Sequence, residues 1–125
     1  MATLTQIVFD CERPAGLARF WAAALDGYAV RAYDAAEVAR LAALGFTPET
    51  DPAVAVDGPG PTLFFQRARE ERSAGRRLHL DVWTPDRRGE VARLRALGAE
   101  VRREAADYTV MLDPEGNAFC VADPR

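Results

Sequence analysis

The side chains best suited to chemistry are the single histidine and a cysteine near the end of the chain. His79 lies in RLHLDVW and Cys120 in NAFCVAD, and each segment has the composition of a β-strand. Imidazole and thiolate are ligands for zinc and other soft metals, whereas Mg²⁺ and Mn²⁺ prefer carboxylates. Without a metal, imidazole can transfer protons, a thiolate can attack electrophiles, and either group can simply pack.

Strand alternation assigns these side chains to faces of a sheet. In RLHLDVW we expect one face to pack on helices through Leu78, Leu80 and Val82. The other face then carries His79, Asp81 and Trp83. Since Asp81 lies about 7 Å along the strand from His79, we expect it to hydrogen-bond a neighbour or a ligand rather than to share an ion with His79.

The first half of the chain reads as a strand, a helix and further strands. A strand is predicted over 5–11, followed by a helix with Pro14 in its first turn and Gly27 at its end. The apolar positions of this helix are Leu17, Phe20, Trp21, Ala24 and Leu25. A strand is expected at 28–33, then a second helix between Asp34 as N-cap and Gly45, with Val38, Leu41 and Leu44 facing the core. Strands are predicted at 53–57 and 62–68.

The second half repeats this order. The polar stretch 69–76 reads as a connector, and a strand, a helix and three strands follow it. We therefore predict an α+β protein with two βαβββ modules in a single domain over 1–125. Module one covers about 3–68, with an extra helix near 35–44, and module two covers about 76–124.

Composition excludes several classes of function. The formal net charge is −3, and the 16 basic residues are spread along the chain rather than gathered into a patch, so no nucleic-acid partner is expected. No run of 18 apolar residues and no signal-peptide pattern occurs, so we expect no membrane partner and a cytoplasmic protein. Its two cysteines are expected to be reduced thiols.

Three segments carry a resemblance to a known family: LARFWAAAL in the first helix, RLHLDVWTPD at the start of module two and DPEGNAFCV at its end. With them the chain resembles the vicinal oxygen chelate superfamily, and within it the small glyoxalase-like domains grouped with bleomycin-resistance proteins and extradiol dioxygenases. The resemblance implies two modules paired around a concave cleft, with helices on the outer faces. In the metal enzymes of that superfamily, His or Gln from a first strand and Glu from a last strand hold a divalent ion in the cleft.

The resemblance places Gln6 and His79 at the two first-strand positions and Cys120 at the last-strand position of module two. The last-strand position of module one falls on Phe65, or on Gln66 if the register slips by one. Both family carboxylates are therefore missing, and the resemblance implies a cleft without an intact metal site. The alternative is a metal-dependent lyase, isomerase or dioxygenase that uses Gln6, His79 and Cys120 to hold Zn, Ni, Fe or Mn.

The sequence thus predicts a protein that binds an aromatic or anionic small molecule in the cleft, with no required cofactor. The candidate ligand-binding residues are Gln6, Phe65, Arg67, His79, Asp81, Trp83, Tyr108 and Cys120. His79 is the candidate catalytic acid or base, although it can also be satisfied by a neighbour alone. For Cys120 inert packing is preferred to a nucleophilic role. The resemblance also implies a homodimer, and a domain that acts through a partner protein is a third alternative.

Overall fold

The computed structural model describes residues 1–67 and 78–124, so the connector predicted at 69–76 lies outside the described residues. The first part of the chain comprises β1 (Thr3–Cys11), α1 (Pro14–Ala24), β2 (Ala29–Val30), α2 (Ala35–Ala43), β3 (Ala53–Asp57) and β4 (Thr62–Arg67). The second comprises β5 (Leu78–Trp83), α3 (Arg87–Ala96), β6 (Glu100–Glu104), β7 (Tyr108–Leu112) and β8 (Ala118–Ala122). The predicted α+β class and the order of two βαβββ modules with one extra helix are confirmed.

The helix ends follow the local chemistry of the sequence. α1 has proline in its first turn, where a missing N–H costs no hydrogen bond. Asp34 caps α2 by accepting a hydrogen bond from the backbone N–H of Glu37 at 2.7 Å, and Asp86 caps α3 by accepting one from Gly89 at 3.0 Å. Gly45 follows α2 with φ of 85°, a conformation that favours glycine.

The chain folds into two compact units, one of Val8–Leu78 and one of Met1–Ile7 with His79–Arg125. In the Val8–Leu78 unit the strand order is β2-β3-β4-β1, and β3 and β4 are antiparallel. Phe65 is completely buried there, and its ring stacks on that of Phe9 with 4.9 Å between centroids. Phe9 also stacks on Trp21 of α1, so these aromatic rings join the sheet to the helix.

The other unit, which we call the cluster unit, contains the first residues of β1 and has the strand order β1-β5-β8-β7-β6. β5 and β8 are parallel, and β7 is antiparallel to both β8 and β6. Met111 and Val121 are completely buried in its core. The buried carboxylate of Glu90 on α3 accepts two hydrogen bonds from Arg93, at 2.7 and 2.8 Å, which compensates for its burial.

The apolar faces of the first two helices are narrower than predicted. Phe20 on α1 is 60% exposed, and Val38 and Leu44 at α2 are 42% and 62% exposed, so the prediction that they face the core is wrong. α1 instead packs through Pro14, Ala15 and Ala18, whose small side chains allow close approach. In α2 only Leu41 is buried.

The apolar face predicted for β5 is also more open than expected. Leu78 and Leu80 are 60% and 42% exposed, so the prediction that both pack beneath helices is wrong. The physical reason is the position of α3, which packs mainly against β6, β7 and β8. Within the described part of the chain, each helix is too short or too polar to span a lipid bilayer.

Candidate functional site

Four neighbouring side chains of the cluster unit form a group that we call the polar cluster: Gln6, His79, Asp81 and Cys120. Nε2 of His79 lies 2.9 Å from Oδ1 of Asp81, and Nε2 of Gln6 donates to Oδ2 of Asp81 at 2.7 Å. The ligand atoms of His79, Asp81 and Cys120 all lie within 4.8 Å of one another. The structure thus brings together the three residues that the sequence placed at the first-strand and last-strand positions.

Neighbouring strands bring these groups to one face of the sheet. Asp81 is the register partner of Cys120 in the parallel pair of β5 and β8, so their side chains point to the same side. Asp81 was expected to hydrogen-bond a neighbour rather than to share an ion with His79, and its carboxylate does hydrogen-bond both His79 and Gln6. The imidazole and the carboxylate lean towards each other and close the gap to 2.9 Å. Asp81 also supplies a carboxylate to a group that was expected to lack one.

Electrostatics favours a proton on His79. The side chains of His79 and Asp81 are 13% and 20% exposed. Burial by itself lowers the pKa of His79, but hydrogen bonds to Asp81 and Cys120, together with their negative charge, outweigh burial and raise the pKa to about 9. At neutral pH the imidazole is therefore protonated and serves as a hydrogen-bond donor inside the cluster.

The Asp81→Asn variant tests this description directly. Removal of the carboxylate charge should move the pKa of His79 by about one to two pH units towards its ordinary value near 6.5. The chain has one histidine, so a single imidazole signal can be followed in an NMR titration. Asp107→Asn, at an exposed position of the same unit, is the matched control and should leave that signal unchanged. An unchanged pKa in Asp81→Asn would contradict the assigned role of Asp81.

Beside the polar cluster lies an aromatic pair, which we call the aromatic slot: Trp83 and Tyr108 on either side of Ala122. Ala122 is the register partner of Trp83 on one side and of Tyr108 on the other. Adjacent strands are about 4.8 Å apart, so the backbones that carry the two rings are about 9.6 Å apart across a small alanine side chain. The row next to it contains Asp81, Cys120 and Val110, so the slot and the cluster share one face.

Arg103 extends this face and was missed in the sequence. Its guanidinium lies 5.6 Å from the centre of the Tyr108 ring and donates to the Tyr108 hydroxyl at 3.2 Å. Arg103 is the register partner of Val110, after a register shift between Val101 and Arg103. This irregularity in VRRE breaks simple alternation, so alternation along the strand could not predict that Arg103 points to this face.

Phe65 and Arg67 lie in the other unit and do not share the polar cluster. The prediction that Phe65 faces a ligand is corrected by its place in the core, stacked on Phe9. The alternative register is the one observed: Gln66 takes the other face and donates to the buried Asp10 at 2.9 Å. Arg67 is exposed at the end of β4, where it lines a surface cavity of about 400 Å³ with Glu49.

The polar groups of Gln6, His79 and Asp81 are linked to one another by hydrogen bonds. Nε2 of His79 and Oδ1 of Asp81 are closer, at 2.9 Å, than the separation of about 3.3 Å expected for two ligands of one tetrahedral zinc ion. Their shared proton occupies the lone pair that a metal would use. Gln6 presents its N–H to Asp81 rather than an oxygen to an ion. His79, Asp81 and Cys120 are near enough to converge on an ion only if these hydrogen bonds open.

Comparisons with known proteins agree on the fold. The model of the family described as Glyoxalase-like domain matches residues 6–122. A glyoxalase/bleomycin resistance protein/dioxygenase superfamily member from Vibrio splendidus 12B01 is similar, with a TM-score of 0.57 and 11% identity, over 99% of this chain and 100% of that one. A structure described as an NAD-dependent benzaldehyde dehydrogenase from Legionella pneumophila has a TM-score of 0.59 and 12% identity, over 96% and 98%. No curated protein matches the chain.

Proposed function

We propose that this chain, which belongs to the glyoxalase-like domain family, binds a small aromatic molecule on the face formed by the aromatic slot and the polar cluster. The observation that carries the proposal is the register of Trp83, Ala122 and Tyr108 directly beside that of Asp81 and Cys120. Apolar walls with a few converging polar groups are typical of small-molecule sites.

The slot favours a planar ring. A ring over Ala122 can contact the indole of Trp83 and the phenol of Tyr108, and such contacts are worth about 0.5–1.5 kcal/mol each beyond the burial of area. A longer or branched ligand would meet Val110 and Cys120 in the next row. The site therefore favours ligands that have a planar ring at the end that lies over Ala122.

The polar groups favour an oxygen-bearing substituent at the other end. The protonated imidazole of His79 can donate to a carbonyl or carboxylate oxygen if the ligand competes with Asp81. Arg103, over the Tyr108 ring, adds positive charge to the edge of the slot. An aromatic carboxylate or an aromatic ketone fits this arrangement, and no metal is needed for its binding.

The Trp83→Ala variant tests the slot. With 2-naphthoate as the probe, loss of about 1.4 kcal/mol of ring contact should weaken binding about tenfold in calorimetry. Phe20→Ala is the matched control, because this aromatic side chain is 60% exposed on α1 in the other unit. Equal affinities of wild type and Trp83→Ala, with equal melting temperatures, would refute a role for the slot.

A metal-dependent lyase, isomerase or dioxygenase is the competing function. Loading the protein with Zn²⁺, Ni²⁺, Mn²⁺ or Fe²⁺, followed by desalting and elemental analysis, separates the two. Stoichiometric metal in wild type that is lost in His79→Ala would favour the metal-dependent function and contradict a metal-free site. A cytoplasmic location and an isologous homodimer are further proposals, supported by the sequence and the family resemblance respectively.

A further inference from the structure

The polar cluster has the order of groups that activates a thiol. His79 is hydrogen-bonded to Asp81 at 2.9 Å, and the sulfur of Cys120 lies within 4.8 Å of the ligand atoms of both residues, so the imidazole has a potential nucleophile and an orienting carboxylate as neighbours. Gln6 in turn fixes the second oxygen of Asp81 at 2.7 Å. A nucleophile, an adjacent base and a third group that orients the base form the arrangement found in covalent catalysis on unrelated folds.

We propose that Cys120 is a nucleophilic thiol, activated by His79, that adds covalently to aromatic α,β-unsaturated carbonyl compounds. This goes beyond reversible binding, since a carbon–sulfur bond is formed. It also differs from the inert packing expected for Cys120 from the sequence alone.

The addition is balanced without an oxidant or a second reactant. Cys120 reacts as the thiolate of a thiolate–imidazolium pair with His79, and its sulfur bonds to the β-carbon of the unsaturated compound. The carbon–carbon π bond breaks, and its electron pair moves through the α-carbon to the carbonyl oxygen as an enolate. The imidazolium of His79 then gives its proton to the α-carbon, which leaves a saturated thioether and a neutral imidazole.

The class of electrophile follows from the neighbours of the thiol. Cys120 and Ala122 are two residues apart on one strand and one face, so a ring held over Ala122 lies about 7 Å from the thiol position along the strand. In an aryl-substituted unsaturated carbonyl compound the electrophilic β-carbon is bonded to the ring, and it can point from Ala122 along the strand towards the sulfur of Cys120. His79 has its ligand atom within 4.8 Å of that sulfur, so its imidazolium can donate to the developing enolate.

The second cysteine is an internal control. Cys11 lies in the other unit, where its sulfur donates to the backbone carbonyl of Gln66 at 3.6 Å. Burial raises the pKa of Cys11, opposed by a hydrogen bond with the backbone of Arg13 and assisted by the charge of Asp10. A half-buried thiol without an imidazole partner should react slowly.

Peptide mass spectrometry after timed exposure to N-ethylmaleimide measures both thiols in one sample. Cys120 should be labelled about tenfold or more faster than Cys11 in wild type. His79→Gln should remove most of that advantage and leave the Cys11 rate unchanged, which also reports that the variant is folded. Equal labelling rates in wild type, or a Cys120 rate that His79→Gln does not alter, would overturn the proposal.

A pair of matched compounds separates the covalent step from simple binding. 4-Phenylbut-3-en-2-one should give a thioether on Cys120 with a rate that saturates with concentration, whereas its saturated analogue 4-phenylbutan-2-one should bind without an adduct. Fast maleimide labelling without binding of the saturated compound would support the reactive thiol but refute ligand binding at the aromatic slot. Binding of both compounds with no adduct from 4-phenylbut-3-en-2-one would refute nucleophilic addition by Cys120 but support ligand binding at the aromatic slot.

Discussion

Replacing Phe65 by alanine should lower the free energy of unfolding by about 3–5 kcal/mol. The side chain is completely buried, its ring stacks on Phe9 at 4.9 Å, and its register partner in β3 is the buried Val54. Its loss leaves a cavity between the sheet and α1 that the rigid strands cannot refill. Phe65, which was predicted from the sequence to contact a ligand, is thus expected to stabilise the fold instead.

Urea unfolding followed by circular dichroism measures this loss, with Phe20→Ala as the matched control. Both substitutions remove a phenyl ring, but Phe20 is 60% exposed and should cost less than about 1 kcal/mol. A Phe65→Ala protein that unfolds at the same urea concentration as wild type would show that Phe65 is not a core residue. The comparison needs no knowledge of the ligand.

Much of the fold could be predicted because its local signals agree with one another. Asp34 and Gly45 bracket α2 in the sequence and in the structure, and Pro14 marks the first turn of α1. The strand AVAVD was predicted with its observed bounds, since alternating β-branched residues between turn signals leave few other conformations. Agreement between caps, turns and strand patterns is what specifies a single topology.

The register of β4 could not be predicted because its sequence does not alternate. Leu63, Phe64 and Phe65 are three apolar residues in a row, so either register buries large side chains. The choice is made by tertiary packing: one register stacks Phe65 on Phe9 and lets Gln66 donate to Asp10. Those partners lie more than 50 positions away along the chain, so the local sequence pattern of β4 cannot predict the contacts with them.

The members of the polar cluster could be predicted from the sequence, but the hydrogen bonds between them could not. Alternation placed His79, Asp81 and Trp83 on one face, and the register of β5 with β8 adds Cys120 to it. The reach of the Asp81 side chain to His79 depends on side-chain rotamers, which strand spacing does not fix. Strand pattern also does not specify which helix covers a face of the sheet. Leu78 and Leu80 were expected to be buried because they are apolar, but α3 packs mainly against β6, β7 and β8 and leaves them exposed.

The stability of the protein should fall as the pH rises from 6 to 10, with a contribution from His79 of about 3 kcal/mol. In the folded state the pKa of His79 is raised to about 9, since hydrogen bonds and charge from Asp81 and Cys120 outweigh the opposing effect of burial. In the unfolded chain it returns to about 6.5. Below pH 6.5 the imidazole is protonated in both states, and the stabilisation by Asp81 and Cys120 is fully present.

Between the two pKa values the unfolded chain has released its proton and the folded chain still holds one. Folding therefore takes up a proton in this interval, and each pH unit costs about 1.4 kcal/mol until the stabilisation is lost as the pH passes through the folded value. The measurement is the difference between wild type and His79→Gln in urea unfolding at pH 6 and pH 10, which isolates the contribution of His79 from that of every other titrating group. Wild type should lose about 3 kcal/mol more than the variant. Equal losses of unfolding free energy in the two proteins would mean that the folded state does not raise the pKa of His79. That result would refute an ion pair between His79 and Asp81.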